Sequence, residues 1–147
     1  MPFRDVAARG HKRLAALLAR SVARRTLPPS LIFSGPAGAG MRETAIATAQ
    51  AINCLTPAGR GDGLDACGSC AACTRIARGV HPDVLLVAPD DKGRVNIEQI
   101  RDLIDRAGFR PFEGRRRVAI IDEADTMLAP AQSALRGMAP LSKGRRR

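Results

Sequence analysis

The chain has 147 residues, of which 45% are apolar, so it is long enough and apolar enough to form one domain with a buried core. No apolar run approaches the ~18 residues of a membrane span, and Met1–Asp5 lacks the apolar core of a secretory signal, so we expect a cytoplasmic protein without membrane contact. The formal net charge of +10 suggests an acidic partner, but the excess lies at the two ends of the chain, and a solvated basic helix with a basic tail explains it as well as a nucleic-acid surface does. Because the chain has no Trp or Tyr, a base-stacking platform is disfavoured, and we expect any contact with nucleic acid to be with phosphates.

The first half of the chain predicts a helix, a short strand and a second helix. Residues 11–25 carry apolar side chains at intervals of three and four, as one buried face of a helix does, and Pro28 ends the pattern. Leu31–Ser34 is a short apolar run that predicts a buried strand. A second helix is expected from Arg42 to Asn53, where apolar side chains again keep helical spacing.

The second half predicts strands that alternate with a helix. Residues 55–65 are rich in Gly, Pro and Asp and show no periodicity. Apolar runs at Val84–Val87 and Val118–Ile121 predict two more buried strands, and Asn96 suits the N-cap of a helix between them. This alternation implies an α/β fold with a parallel sheet. Residues 136–147 hold five cations, two Gly and one Pro, so we expect a disordered basic tail.

A glycine-rich turn joins the first predicted strand to the second helix, which is the layout of a phosphate-binding loop. In the full motif, G-x-x-x-x-G-K-[S/T], the lysine contacts the outer phosphates and the hydroxyl holds Mg²⁺. Here the glycine spacing is kept, but a methionine replaces the lysine and an arginine replaces the hydroxyl. The degenerate loop residues are Gly35, Pro36, Gly38, Gly40, Met41 and Arg42. We therefore expect a chain that binds ATP and Mg²⁺ weakly, if at all, and does not hydrolyse ATP.

An acidic cluster, Asp122–Asp125, follows the third predicted strand. An aspartate at the end of a strand beside a phosphate loop can hold Mg²⁺ through water, and a neighbouring glutamate can orient the attacking water. Asp122 and Glu123 are therefore the catalytic candidates. Such clusters also serve as helix N-caps, so the cluster by itself is only suggestive. Combined with the glycine loop, it predicts a domain of the nucleoside-triphosphatase type.

The four cysteines are Cys54, Cys67, Cys70 and Cys73. Four soft thiolates with two-residue spacers suit tetrahedral Zn²⁺, and because all four are used as ligands the site is expected to be structural. The alternatives are a set of small buried cysteines and a redox C-x-x-C pair, neither of which uses all four. His81 lies before the second strand, and we expect it to have a turn or packing role.

With these residues assembled, the chain resembles the bacterial DNA polymerase III clamp-loader subunits of the AAA+ class, among which the delta-prime type is most similar. The resemblance covers residues 3 to about 135. The stretches that carry it are Phe3–Val6, Leu31–Gly40, the four cysteines, His81–Asp83, Arg110–Gly114, Val118–Asp125 and Ala131–Leu135.

The resemblance implies an incomplete P-loop domain of the AAA+ type over residues 1–135, with a zinc module at about 54–77. In this class only the second and third strands pair directly, and the first lies between the fourth and fifth. A chain that ends after the third strand leaves Leu31–Phe33 without neighbours, so we expect the isolated chain to aggregate.

The resemblance also implies a function. The intact lysine and hydroxyl are expected in gamma/tau subunits, so their loss points to a delta-prime stator in a replisome-associated DNA polymerase holoenzyme. Its partners would be gamma/tau and delta subunits in a hetero-oligomer and, through the complex, the sliding clamp and primed DNA. Three alternatives remain: an active gamma/tau-like ATPase in which Arg42 replaces the lysine, a DEAD-type helicase fragment, and a free-standing zinc-stabilised DNA-binding module.

Overall fold

The computed structural model describes residues 1–137, so the disordered tail expected beyond them lies outside the described residues. The helices and strands are α1 (Phe3–Ala8), α2 (Lys12–Ala23), α3 (Met41–Asn53), β1 (Ala58–Arg60), β2 (Gly63–Asp65), α4 (Ala71–Ala77), β3 (Val84–Val87), α5 (Ile97–Ala107), β4 (Val118–Ile121) and α6 (Ala129–Gly137). The last helix runs through Arg136 and Gly137, two residues that the sequence pattern had placed in the tail. Among the described residues, no helix combines the length and the apolar character needed to cross a membrane.

The fold is mixed α/β with a small parallel sheet, as the alternation of strands and helices predicts. Strands β3 and β4 pair in parallel, with Val84 opposite Val118 and Val87 opposite Ile121. These are the second and third strands predicted from the sequence, and their direct pairing is confirmed. Because the strands are parallel, both begin at one edge of the sheet and both end at the other.

Helix α5 packs on β3, and local signals in the sequence predict it correctly. The Asn96 side chain accepts from Gln99 N, and the Gln99 side chain accepts from Asn96 N, which completes a capping box. Ile100 and Leu103 are buried against Leu85 and Val87. Full burial of an aliphatic side chain contributes about 1.5–3 kcal/mol, so these contacts fix the helix on the sheet.

The prediction of a buried strand at Leu31–Ser34 is wrong for this structure. The segment has no strand geometry, Leu31 is 39% exposed and Ile32 is 91% exposed. The physical reason is the absence of a partner: among residues 1–137, the parallel sheet contains only β3 and β4. Without a neighbouring strand, the backbone N–H and C=O groups of the segment have no ladder to join.

The sequence pattern did not predict helices α1, α4 and α6, nor a hairpin in the segment judged to lack periodicity. Strands β1 and β2 pair antiparallel, with Ala58 opposite Asp65. The hairpin lies against α2, where a Cβ on Gly63 would come within 2.8 Å of Ala19 Cβ. Close packing of a glycine, and not alternation of apolar residues, holds this hairpin in place.

A buried carboxylate holds together the edge at which both parallel strands begin. Asp83 directly precedes β3, is 0% exposed, and accepts hydrogen bonds from the N–H groups of Phe112, Glu113 and Gly114 at 2.7–2.8 Å. Arg117, which directly precedes β4, donates to the same carboxylate at 2.9 Å. Burial by itself raises the pKa of Asp83, but the three backbone donors and Arg117 outweigh it and hold the pKa well below its usual range.

Replacing Asp83 with Ala is expected to lower the free energy of unfolding by about 3 kcal/mol or more, because three backbone N–H groups and a guanidinium lose their acceptor. Urea unfolding followed by circular dichroism measures this change. Asp91 is exposed and serves as the matched control, for which Asp91→Ala is expected to cost less than about 0.5 kcal/mol. Equal losses in the two variants would contradict the role given to Asp83.

The sign of the pH dependence follows from the lowered pKa. The ionised carboxylate stabilises the native state above the unfolded pKa of about 4, and this stabilisation is lost as the pH falls toward the lower native pKa. The difference in unfolding free energy between the wild-type chain and Asp83→Asn should therefore shrink below a pH of about 4. A difference that stays constant in acid would show that Asp83 is not the titrating group.

Candidate functional site

The four cysteines converge on one point, as their spacing predicts. The four Sγ atoms all lie within 4.8 Å of one another, and Cys54 Sγ is 3.9 Å from Cys70 Sγ. Sulfur atoms on a tetrahedral zinc, with Zn–S distances near 2.3 Å, are separated by about 3.8 Å. All four thiols are free, and two of them, Cys54 and Cys73, are fully buried. The residues present therefore fit a tetrahedral metal ion.

Backbone N–H groups point at the sulfur atoms of this cluster. Cys67 N lies 3.3 Å from Cys54 Sγ, and Cys70 N lies 3.2 Å from Cys67 Sγ. A hydrogen bond from Thr56, helped by the N–H groups of Cys70 and Ser69, lowers the pKa of Cys67 to about 5. Burial instead raises the pKa of Cys54 and of Cys73. A nearby cation would favour the ionised form of the buried thiols.

Two helix ends position the sulfur ligands. Cys54 is the C-cap of α3, and Cys70 is the N-cap of α4, where its side chain accepts from Cys73 N. Buried Gln50, on α3, donates to Cys73 O at 2.8 Å and fixes the two helices relative to each other. The cysteine cluster is thus the joint between α3 and α4.

His81 is not part of this cluster, and the packing role expected for it is confirmed. It is 3% exposed, its Nδ1 accepts from Asp83 N at 3.1 Å, and its Nε2 lies 3.4 Å from a Glu113 carboxylate oxygen. These contacts place the imidazole beneath the loop that precedes β4. Among the described residues, the metal-type cluster consists of the cysteines only.

The glycine turn at residues 35–40 is a tight loop at the N-terminus of α3. Gly38 and Gly40 adopt φ angles of 81° and 84°, which favour glycine, and α3 begins at Met41. His11, at the start of α2, contacts Ala39 O through Nε2 at 2.8 Å, so the turn is anchored to a second helix. Thr44 is buried, and its Oγ1 donates to Gly40 O at 2.8 Å, so the hydroxyl is bonded to the last residue of the turn.

The structure brings Arg42 and Asp122 together across this turn. Arg42 Nη1 lies 3.2 Å from Asp122 Oδ2, and the side chains are 47% and 19% exposed. Asp122 N donates to Val87 O, which fixes this residue at the carboxyl end of the sheet. The other loop residue of interest, Met41, places its Sδ 3.9 Å from the position that a Cβ on Gly35 would take. Arg42 therefore occupies the position of the motif's hydroxyl residue, and Met41 occupies the position of its lysine.

Glu123 is brought to the same edge but makes no comparable contact among the described residues. It is exposed, and its φ of 46° places it in the left-handed region. Its N–H donates to Asp122 Oδ1 at 3.1 Å.

The two candidate sites, the cysteine cluster and the phosphate-loop region, lie at opposite ends of α3, whose 13 residues span roughly 20 Å.

One buried polar residue of the cysteine region escaped notice in the sequence. Asp65 is 2% exposed, and its carboxylate accepts from the N–H groups of Phe3, Arg4 and Ala66 at 2.7–3.1 Å. It therefore ties the N-terminus of α1 to the chain just before Cys67. An isolated aspartate in a glycine-rich segment carries no local signal of this role, because two of its three partners, Phe3 and Arg4, are about sixty residues away.

Comparisons with known proteins identify relatives over most of the chain. A family model described as "DNA polymerase III, delta subunit" matches residues 10–136. The DNA polymerase III subunit delta' of Pseudomonas aeruginosa is 35% identical over 105 residues, which cover 71% of this chain and 31% of that protein. The delta' subunit of Bacillus subtilis is 32% identical, covering 84% and 36%. The gamma/tau subunit of Mycoplasma genitalium is 31% identical, covering 86% and 20%. The chain spans between 20% and 36% of the length of these relatives.

Replacing Asp65 with Ala is expected to lower the free energy of unfolding by about 2–3 kcal/mol, because three N–H groups lose a buried acceptor. Urea unfolding measures the loss. Asp62 is the matched control: its side chain is 59% exposed and, among the side chains that the structure describes, pairs with Arg20 and Arg24 at the surface, so Asp62→Ala should cost less than about 1 kcal/mol. A larger effect at Asp62 than at Asp65 would refute the assignment.

Proposed function

The chain belongs to the family described as DNA polymerase III, delta subunit, and we propose that it is a clamp-loader subunit of the delta-prime type that does not hydrolyse ATP. In this role its described part is an incomplete P-loop domain of the AAA+ type. It assembles with gamma/tau and delta subunits and acts through that assembly on the sliding clamp and primed DNA. Relatives named delta' and relatives named gamma/tau match at similar identity, so the choice between them depends on residues of the site.

The contact between Arg42 and Asp122 carries the proposal. In an active site of this class a carboxylate at the strand end holds Mg²⁺, whereas here Asp122 already has a cation at 3.2 Å. Met41 has no donor and no charge to offer a phosphate. Each missing charge-assisted hydrogen bond removes about 1.5–3 kcal/mol of nucleotide affinity. The loop therefore retains the backbone turn and lacks both groups that bind the outer phosphates and the metal.

The second candidate function is an active gamma/tau-like ATPase in which Arg42 takes the place of the lysine. The similarity to relatives named gamma/tau favours it. Against it stands the position of the guanidinium, which is directed at Asp122 and not left free for a phosphate. Because the pair is half exposed, it is held by no more than about 1 kcal/mol, so a measurement of nucleotide binding is the direct test.

The wild-type chain is expected to show no magnesium-dependent ATP turnover and at most weak binding of a fluorescent ATP analogue. Replacing both Met41→Lys and Arg42→Thr should raise the affinity for ATP with Mg²⁺ by about 10-fold to 100-fold, because one charge-assisted contact is restored. Arg13→Thr removes an exposed cation on α2 and is the control.

Two outcomes would contradict the proposal. One is turnover by the wild-type chain that Glu123→Gln abolishes, which would favour the gamma/tau-like ATPase. The other is the separate elution of the chain from the purified gamma/tau subunit, delta subunit and sliding clamp of the same source when it is mixed with each of them, which would remove the clamp-loader assignment itself.

We further propose that the metal held by Cys54, Cys67, Cys70 and Cys73 is Zn²⁺ with a structural role. Four thiolates leave no ligand position for water or substrate, and zinc has no redox chemistry, so the ion would act as a cross-link between α3 and α4. The support is the convergence of the four sulfur atoms within 4.8 Å.

The chain purified without chelator is expected to contain about one zinc ion per chain, measured by elemental analysis. Cys73→Ser should lose the metal and lower the free energy of unfolding by about 3 kcal/mol or more, since metal binding and folding are coupled. Arg78→Ala changes an exposed residue at the end of α4 and should keep both metal and stability. A zinc content near zero in the wild-type chain would refute the proposal.

A further inference from the structure

The loop between α5 and β4 exposes half of the phenylalanines in the chain. There are four Phe residues; Phe3 is 2% exposed and Phe33 packs against a buried cluster. Phe109 and Phe112, in contrast, are 71% and 82% exposed. We call residues 108–116 the aromatic loop. Large aromatic side chains in solvent are costly unless they are covered in use.

The backbone of the aromatic loop is held rigidly although its aromatic side chains are free. Buried Asp83 binds three consecutive N–H groups, those of residues 112–114. Asn53, at the end of α3, accepts from Arg116 N at 3.0 Å and donates to Arg116 O at 2.9 Å. Five backbone groups of the loop are thus bonded to two side chains of the core.

Close packing at the centre of the loop adds to this rigidity. A Cβ on Gly114 would lie 2.8 Å from Asn53 Oδ1 and 3.2 Å from Asp83 Oδ2, so only glycine fits. Glu113 pairs with Arg75 at 2.5 Å. A loop ordered before binding loses little conformational entropy when a partner covers it, which raises affinity.

The charges around the two phenylalanines are positive. Arg110, Arg115 and Arg116 are exposed on the loop, while Glu113 is neutralised by its pair with Arg75. Aromatic and arginine side chains together are the residue types most often found at the energetic centre of protein–protein interfaces. A complementary surface would present an apolar cleft with carboxylates at its border.

The aromatic loop lies at the edge of the sheet where β3 and β4 begin, directly before Val118. Arg42 and Asp122 lie beyond the opposite edge, where the strands end. The loop is therefore separate from the phosphate-loop site and from any nucleotide chemistry there. Residues 109–112 are all exposed, whereas proteins that follow a nucleic-acid strand hold it in a positively charged groove.

We propose that the aromatic loop is a docking surface for a partner protein that has an apolar cleft bordered by carboxylates. Phe112 and Phe109 enter the cleft, and the loop arginines pair with its border. The inference rests on the proposed function, since it places the contact within the clamp-loading assembly. The inference specifies which surface of the chain makes the contact, at the edge of the sheet away from the phosphate loop, and the chemistry of the partner surface that covers it.

The test measures binding of the 147-residue chain to the purified gamma/tau subunit, delta subunit and sliding clamp of the same source, each in a separate titration. Phe112→Ala and Phe109→Ala should each weaken binding to one of these proteins by about 10-fold or more. Leu17→Ala, which truncates an apolar side chain on α2 that is 54% exposed, should leave that affinity unchanged. Because the substituted side chains are exposed, the variants should unfold at the same urea concentration as the wild type.

The charge of the loop is tested in the same titrations. Arg115→Glu should weaken binding and reduce its dependence on salt concentration, whereas Arg13→Glu, on α2, should change neither. Loss of affinity in the phenylalanine variants without any effect of Arg115→Glu would overturn the acidic border of the cleft.

The remaining outcomes separate the inference from the proposed function. If the wild-type chain binds one of the proteins and both phenylalanine variants bind equally well, the docking surface is refuted and the proposed function stands. If the wild-type chain binds none of them, the proposed function fails and the inference fails with it. If a fluorescein-labelled oligothymidylate binds the chain and both variants weaken that binding, the loop is a nucleic-acid surface and the assignment to a protein partner is overturned.

Discussion

The buried carboxylate of Asp83 is the constraint on which the sheet and its surroundings depend. It precedes β3, it is bonded to the loop before β4, and it pairs with Arg117 at the entrance of β4. Parallel strands share no hairpin, so something other than a short turn has to align their starting points. Here one charge, fully removed from water and satisfied by four donors, performs that alignment. The same contacts order the loop that carries Phe112. The Asp83 carboxylate therefore both aligns the two strands and fixes the backbone from which an exposed aromatic side chain extends.

Helix α3 connects the two candidate sites of the chain, which lie at its opposite ends and contain different chemical groups. Its first turn carries Arg42, whose guanidinium neutralises Asp122, and its last residue precedes Cys54 in the metal-type cluster. At the first end the geometry of a phosphate loop is retained while the groups that bind phosphate and Mg²⁺ are replaced. At the other end four convergent thiols retain everything that a structural metal requires. Under the proposed function, the chain keeps the scaffold of an ATPase domain and uses it to hold surfaces in place.

How far the sequence predicts the structure depends on the range of the interaction in each case. Helix α5 follows from Asn96 and Gln99, which are three residues apart, and from apolar residues at helical spacing. The cysteine cluster follows from the two-residue spacers between Cys67, Cys70 and Cys73, a spacing that suits ligands of one tetrahedral metal ion. Leu31–Ser34 has the composition of a strand, yet a strand exists only beside a partner, and none lies beside it within residues 1–137. The β1–β2 hairpin was missed because Gly63 packs on Ala19 by having no side chain, which leaves no hydrophobic signal to read.

The sequence by itself determined the α/β class, the pairing of the strands at Val84–Val87 and Val118–Ile121, the family, and the four cysteines as one cluster. The α/β class, the family and the cysteine cluster depend on local periodicity, on caps and on motifs whose residues lie near one another along the chain, whereas the strand pairing was implied by the resemblance to the clamp-loader class. Only the tertiary structure decided that Arg42 binds Asp122, that Asp65 and Asp83 are buried acceptors, and that Phe109 and Phe112 face the solvent. Each of these is set by partners distant along the chain or by burial. The free energy of a charge or an aromatic ring depends on what surrounds it in space, and the order of residues along the chain does not specify those surroundings.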